Sequence, residues 1–241
     1  MTEAPREDGD GRRAELAASL AALRERIAAA CKAAGRPAGD VSLIAITKTF
    51  PASDVRLLHG LGVLDVGENR DQEAAPKAAA CAGLPGLRWH FVGQLQTNKC
   101  ASVVSYAQVV QSVDRLRLVH ALGRHARNTG RVITCLVQVS LDGDPARGGA
   151  VPADVPGIAA AIAADEGLAL GGVMAVAPLG VPAAEAFAAL PGLSAAVRAV
   201  RPEAGMISAG MSGDLEEAIA AGATHLRIGT ALLGGRPPVV R

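Results

Sequence analysis

The chain reads as a single (β/α)8 barrel, a TIM barrel, with one extra helix at its N-terminus. Three observations predict this. Short apolar runs alternate with stretches of helical periodicity, and eight such runs recur within about 230 residues. Nearly every run is separated from the next by a helix, which argues for parallel strands with helices outside. No G-x-G-x-x-G follows an early strand and no P-loop is present, which weighs against a dinucleotide fold. A doubly wound open sheet is the alternative architecture. The length of 241 residues gives one large domain a real core.

Residues 1–12 read as a frayed tail and 13–241 as the barrel domain. From Ala14 the chain is helical, with Leu16, Leu20, Leu23, Ile27 and Cys31 on one apolar stripe. This helix precedes the first strand, so it packs over the barrel floor or on its flank. Residues 41–46 form the first strand. Ser53 is expected to cap the next helix, which breaks at Gly60. Residues 63–66 are the second strand, with 67–70 as its polar exit. A helix over 71–81 carries Pro76, which weakens or trims it. Strand three covers 87–92, followed by a largely helical 94–104. Strand four is 108–113, and a helix over 114–128 ends at Gly130. Strand five is 132–139. Residues 141–151 are a polar, Gly-rich loop in which Asp142, Asp144 and Arg147 make a charged turn. A helix over 152–165 leads to strand six at 168–176. The helix over 182–200 is interrupted near Pro191 and Gly192. Strand seven is 206–209, and Ser212 stands ready to cap the helix running to Ala220. Strand eight is 224–228, and another helix opens at Gly229 and Thr230.

Composition narrows the function. Lys and Arg total 24 against 23 Asp and Glu, and no basic block occurs, which argues against nucleic acid as a partner. The acidic, polar N-terminus does not resemble a signal peptide. No stretch is expected to be long and apolar enough to span a bilayer. The four cysteines are scattered without C-x-x-C, as packed thiols of a cytoplasmic protein are. The histidines and cysteines show no metal-ligand spacing. Aromatic residues are 2% of the chain, so Ala, Leu, Val and Ile must fill the core.

In such a barrel the site lies at the C-terminal ends of the strands. Those ends carry Thr47 and Lys48; Glu68, Asn69 and Arg70; His90, Gly93 and Gln94; Ser112; Ser140; Met174 to Ala177; Ser208 to Ser212; and Arg227 to Thr230, with Gly229 among them. Glu68 and Arg70 are placed to pair. His225 alternates onto the face of Arg227, towards the barrel interior. Lys48 stands out, because it directly follows an apolar strand. Burial lowers an amine's pKa and makes it a nucleophile toward a carbonyl. Strands seven and eight bring two helix starts together, where backbone N–H groups can face an anion. A lysine and an anion site point to a phosphorylated aldehyde such as pyridoxal phosphate (PLP), or to a Schiff-base aldolase; the pattern does not separate these.

Several blocks then carry a resemblance. AITKTFP surrounds Lys48, VGENRDQE begins at Val66, and WHFVGQLQTNK begins at Trp89. QSVDR follows at Gln111, VSLDGDPARGG at Val139, GGVMAVAP at Gly171 and AGMSGDLEEAIAAGATHLRIGTALLG at Ala209. In this order they resemble the pyridoxal phosphate homeostasis protein family, which is similar to the barrel domain of alanine racemase. The resemblance runs from about residue 14 to 234 and implies a PLP-binding barrel.

It implies that Lys48 holds PLP as an internal aldimine and that Ser208, Ser212, Gly229 and Thr230 hold the phosphate. Arg227 would stand near the pyridine nitrogen, Asn69 near the ring hydroxyl or the lysine, and Met174 over the ring face. Where many relatives carry a second Met before Gly210, this chain has Ala209. The implied function is reversible carriage or buffering of PLP, with apo-enzymes as recipients; the scattered cysteines fit a cytoplasmic protein and the polar exposed face of the first helix fits a monomer. The enzymatic alternative is a weak amino-acid racemase or lyase. A two-base racemase needs a second group on the far ring face, and the one tyrosine, Tyr106, lies away from the strand exits.

Overall fold

The computed structural model describes residues 7–144 and 148–235. Its strands are β1 (Ser42–Ile46), β2 (Asp65–Glu68), β3 (Arg88–Phe91), β4 (Val109–Val113), β5 (Ile133–Val139), β6 (Leu168–Ala175), β7 (Met206–Ser208) and β8 (His225–Ile228). They close in sequence order into a barrel, and every neighbouring pair is parallel. Closure sets Ser42 of β1 opposite His225 of β8. Around the barrel stand α1 (Glu7–Ala33), α2 (Ala52–Gly60), α3 (Asp71–Ala80), α4 (Cys100–Tyr106) and α5 (Leu116–Asn128). α6 (Val155–Ala163), α7 (Ala183–Phe187), α8 (Leu190–Val200), α9 (Leu215–Ala220) and α10 (Thr230–Leu233) complete the ring. This is the expected eightfold barrel with a leading helix.

Alternation along each strand splits the apolar residues into two cores. The large one lies between the sheet and the helices and takes in Ala45, Val66, Phe91, Val110 and Val173. A small one of Val109, Leu136 and Met174 is separate from it, on the inward faces. Gly67 shows why the interior needs a glycine, because a Cβ there would come within 2.5 Å of Ile46 Cδ1.

The α1 stripe is buried as its spacing requires, from Leu16 to Cys31. α1 packs on the flank against α9 and α10. It also reaches back into the segment expected to be a tail. Arg12 donates to Asp54 at 2.7 Å and to the Leu233 carbonyl at 3.0 Å, which ties the first turns to the barrel. Residues 1–6 of that expected tail, and Arg147 of the charged turn, lie outside the described residues.

Several boundaries differ from the sequence reading for identifiable reasons. β2 covers Asp65–Glu68, two residues beyond the expected run, because its register with β3 sets Asp65 opposite Arg88 and Glu68 opposite Phe91. α2 begins at Ala52 behind Pro51, so Ser53 is inside the helix and does not cap it. α4 starts only at Cys100, after a tight turn over Thr97–Lys99. Pro191 does not break a helix. It sits in the first turn of α8, where its missing N–H costs nothing, and the interruption falls just before it.

One stretch qualifies the expectation about membrane spans. Ala183–Val200 is long and apolar enough to cross a bilayer by length and composition alone, with a mean hydropathy of 1.2 over 18 residues. In the fold it is α7 and α8. Leu190, Leu193 and Val197 are buried, α8 packs on α6 and β6, and alanines on the outward face raise the hydropathy.

Candidate functional site

The strand ends open into a cavity of about 300 Å³ at the barrel mouth, on the side of β1, β2 and β6–β8. Lys48 enters it by simple alternation. Ile44 and Ile46 face inward from β1, and Lys48 is the next residue on that face. The chain then turns sharply. Thr49 has φ of 70°, the one non-glycine residue with positive φ among the described residues. Such backbone is costly and holds only where its surroundings impose it. Here the Thr49 N–H donates to Glu73 at 3.2 Å.

A second set of contacts supports this turn from outside the barrel. Lys77 of α3 donates to the carbonyl of Thr47, the residue before Lys48, at 2.8 Å and to Glu68 Oε1 at 2.6 Å. The Thr47 hydroxyl donates to the same carboxylate oxygen at 2.6 Å. All three side chains are buried, and burial pushes the Glu68 carboxyl up against the pull of Lys77. Glu68 therefore pairs with Lys77. Arg70, its expected partner, is exposed and lies nearer Glu73 at 3.7 Å.

The neighbouring wall comes from the loops after β7 and β8. Gly210 allows the first of them with φ of 90°, and a Cβ there would meet Ala218 at 2.6 Å. Ser212 does not cap α9, whose N-cap position belongs to Asp214. Its hydroxyl accepts from the Ala231 N–H at 3.1 Å, at the start of α10, and so joins the two loops. Arg26 of α1 braces the same loop, with one N–H on the Ser212 carbonyl at 2.8 Å and two on the Glu216 carboxylate.

Arg227 rises from β8 into the floor of the cavity. It is 5% exposed and donates to the Ser208 hydroxyl at 2.7 Å and the Ala175 carbonyl at 2.8 Å. No carboxylate among the described residues comes within ion-pair distance of it. Burial lowers its pKa to about 10, with Asp214 acting in the other direction from further away. It remains a cation at neutral pH.

Seven of the eight expected residues thus line one cavity: Lys48, Asn69, Met174, Ser212, Arg227, Gly229 and Thr230. Ser208 does not. Its oxygen lies beneath Arg227, and its proton is given to Gln111 Oε1 at 2.7 Å. The cavity also draws on Val176 and Met211, which lie within the expected strand exits, and on Ile46 and Val92, which the sequence reading did not name. Alternation back from Lys48 would have found Ile46. A buried cation, an amine, two hydroxyls and an apolar wall suit a small, flat, anionic ligand with a carbonyl end. The volume is at the lower end of the roughly 300–1,000 Å³ of small-molecule sites.

Residues 18–237 match the model of the alanine racemase N-terminal domain. A pyridoxal phosphate homeostasis protein of Mycobacterium tuberculosis is 46% identical over 245 residues, covering 93% of this chain and 94% of the relative. One from Escherichia coli is 34% identical over 232 residues, covering 92% and 97%. Among solved structures, PipY of Synechococcus elongatus with PLP bound is 36% identical with a TM-score of 0.80, over 91% of this chain and all of that one. The chain belongs to the alanine racemase N-terminal domain family and, within it, to the pyridoxal phosphate homeostasis proteins.

Proposed function

We propose that the protein binds PLP reversibly at the barrel mouth, with Lys48 as the covalent anchor, and acts in cytoplasmic PLP homeostasis as a carrier or buffer. The observation that carries this is the convergence of Lys48, Ser212, Arg227 and Thr230 on one cavity. The names of its relatives and the PLP bound to PipY support the same reading. When bound, PLP supplies an aldehyde that condenses with a primary amine with loss of water, so capture is covalent and reversible.

Each wall of the cavity has a part. Lys48 holds the aldehyde end. Ser212, Gly229 and Thr230 hold the phosphate, the hydroxyls donating to its oxygens. Met174 covers one ring face, and Asn69 meets the ring hydroxyl. Arg227 presents a cation where the ring nitrogen would otherwise take up a proton, which suits holding the cofactor better than driving amino-acid chemistry on it. Ser208 supports Arg227 and leaves the phosphate to the others.

Racemisation needs a base on each face of the ring. Lys48 supplies one. Tyr106 is on α4, outside the barrel, with its hydroxyl 3.4 Å from Asp71 and its ring edge-on to Trp89. In this reading the protein acts on amino acids weakly if at all and yields its cofactor to apo-enzymes, and the polar outer face of α1 suits a monomer. The test is to mix the PLP-loaded protein with an apo-enzyme. Reactivation faster than release of PLP into buffer is the expected result, together with only trace deuterium exchange at Cα of alanine or serine. Exchange at the rates of ordinary enzymes would replace the carrier with a racemase or lyase.

A further inference from the structure

The barrel interior below the cavity is not filled by apolar side chains alone. A row of polar groups runs from the floor to Arg227. Asp65 Oδ1 lies 2.8 Å from His90 Nε2, His90 Nδ1 lies 2.9 Å from Gln111 Nε2, and Gln111 Oε1 lies 2.7 Å from the Ser208 hydroxyl. Ser208 in turn receives Arg227 at 2.7 Å. The members come from β2, β3, β4, β7 and β8, and all five are buried.

Elementary donor chemistry gives this row one direction. A guanidinium can only donate, so the Ser208 oxygen accepts from Arg227. The single Ser208 proton then goes to Gln111 Oε1. That leaves the Gln111 amide nitrogen facing His90, and an amide nitrogen also only donates. His90 Nδ1 is therefore unprotonated, Nε2 carries the ring proton, and that proton is donated to Asp65. Hydrogen bonds from His90 and Arg88 overcome the effect of burial and hold the Asp65 carboxyl below its usual range. The reverse arrangement needs a proton on Nδ1. Gln111 must then turn over, both Arg227 and Gln111 donate to Ser208, and the Ser208 proton has no acceptor. A neutral ring with its proton on Nδ1 would also turn the Nε2 lone pair on the Asp65 carboxylate.

We propose that Asp65, His90, Gln111 and Ser208 are positioning residues that hold the Arg227 guanidinium in one orientation at the cofactor's ring nitrogen. Their role toward PLP rests on the function proposed above; the direction of the row does not. Asp65 on β2 and His225 on β8 face His90, Arg88 of its own strand reaches the same Asp65, and β4 presents the neutral Gln111; Arg227 lies two hydrogen bonds further along the row. The row fixes which ring nitrogen of His90 carries the proton and ties that choice to the orientation of Arg227.

Two measurements test this. The first uses the cofactor-free wild-type protein and a long-range proton–nitrogen NMR spectrum of its imidazoles. His90 is expected as the Nε2–H tautomer at pH 7. An Nδ1–H tautomer or an imidazolium at that pH overturns the one-way row. The second compares the visible absorption band of bound PLP, as a function of pH, in wild type, Ser208→Ala, Gln111→Leu and Ser208→Thr. The first two variants are expected to move the pH at which the band titrates and to weaken PLP binding roughly tenfold. Ser208→Thr, which keeps the hydroxyl, is expected to restore both. Folded Ser208→Ala and Gln111→Leu proteins with wild-type titration and affinity would overturn the positioning role. Loss of the Lys48 adduct in the wild type would instead remove the cofactor reading, and the tautomer result would stand without it.

Discussion

Ser212 uses one oxygen for two purposes. It accepts from the Ala231 N–H and keeps its own proton to donate, so joining the two loops and holding a phosphate are compatible. Ser212→Ala is expected to raise the Kd for PLP roughly tenfold, the scale of one hydrogen bond to a charged group, with a loss of about 1 kcal/mol in stability from the lost hydrogen bond to Ala231. Equilibrium dialysis and urea unfolding of the same preparation check both. His225, at the lower end of β8, gives a pH prediction. Burial and the neighbouring His90 lower its pKa from 6.5 to about 4. Between those values the unfolded chain takes up a proton that the barrel refuses. Its share of stability is therefore full above about pH 6.5 and is lost as pH falls toward about 4. His225→Gln is expected to flatten the unfolding free energy across that window, read from urea curves at a series of pH values. Lys48 was legible in the sequence because a charged residue ending an apolar strand is conspicuous. The task of Ser208 was not, because Gln111, which takes its proton, is 97 residues away and only barrel closure brings them together.

At the scale of elements, the exit of β2 separates what patterning can and cannot show. Residues 63–66 look like the strand because they are mostly apolar, yet β2 is Asp65–Glu68. Asp65 points into the barrel to meet His90, and Glu68 points outward to meet Lys77 and Thr47. A strand whose acids are buried by specific partners has no hydrophobic signature. The Glu68–Lys77 pair also links α3 to the backbone just before Lys48. Lys77→Met removes the cation and leaves a buried carboxylate. The expected cost is about 3–5 kcal/mol, and the double variant with Glu68→Gln should recover much of it. Chemical denaturation of the single and double variants measures the difference; equal destabilisation in both would mean that the pair contributes through packing alone.

For the whole molecule, strand count, order and the leading helix were all readable from periodicity, since each βα unit repeats the same local pattern. The anchoring of α1 was not, because Arg12 acts through Asp54 and Leu233, far away in the chain. Closure also makes the site: by pairing β1 with β8 it brings Lys48 from the first strand and Ser212 and Thr230 from the end of the chain to one cavity. The chain holds four lysines, Lys32, Lys48, Lys77 and Lys99, so covalent capture can be located without ambiguity. The most direct measurement is to incubate the protein with PLP, reduce the adduct with borohydride and map the labelled peptide by mass spectrometry. One PLP per chain on the Lys48 peptide, absent from Lys48→Ala, is the expected result. A label on Lys32, Lys77 or Lys99, or none at all, would contradict it.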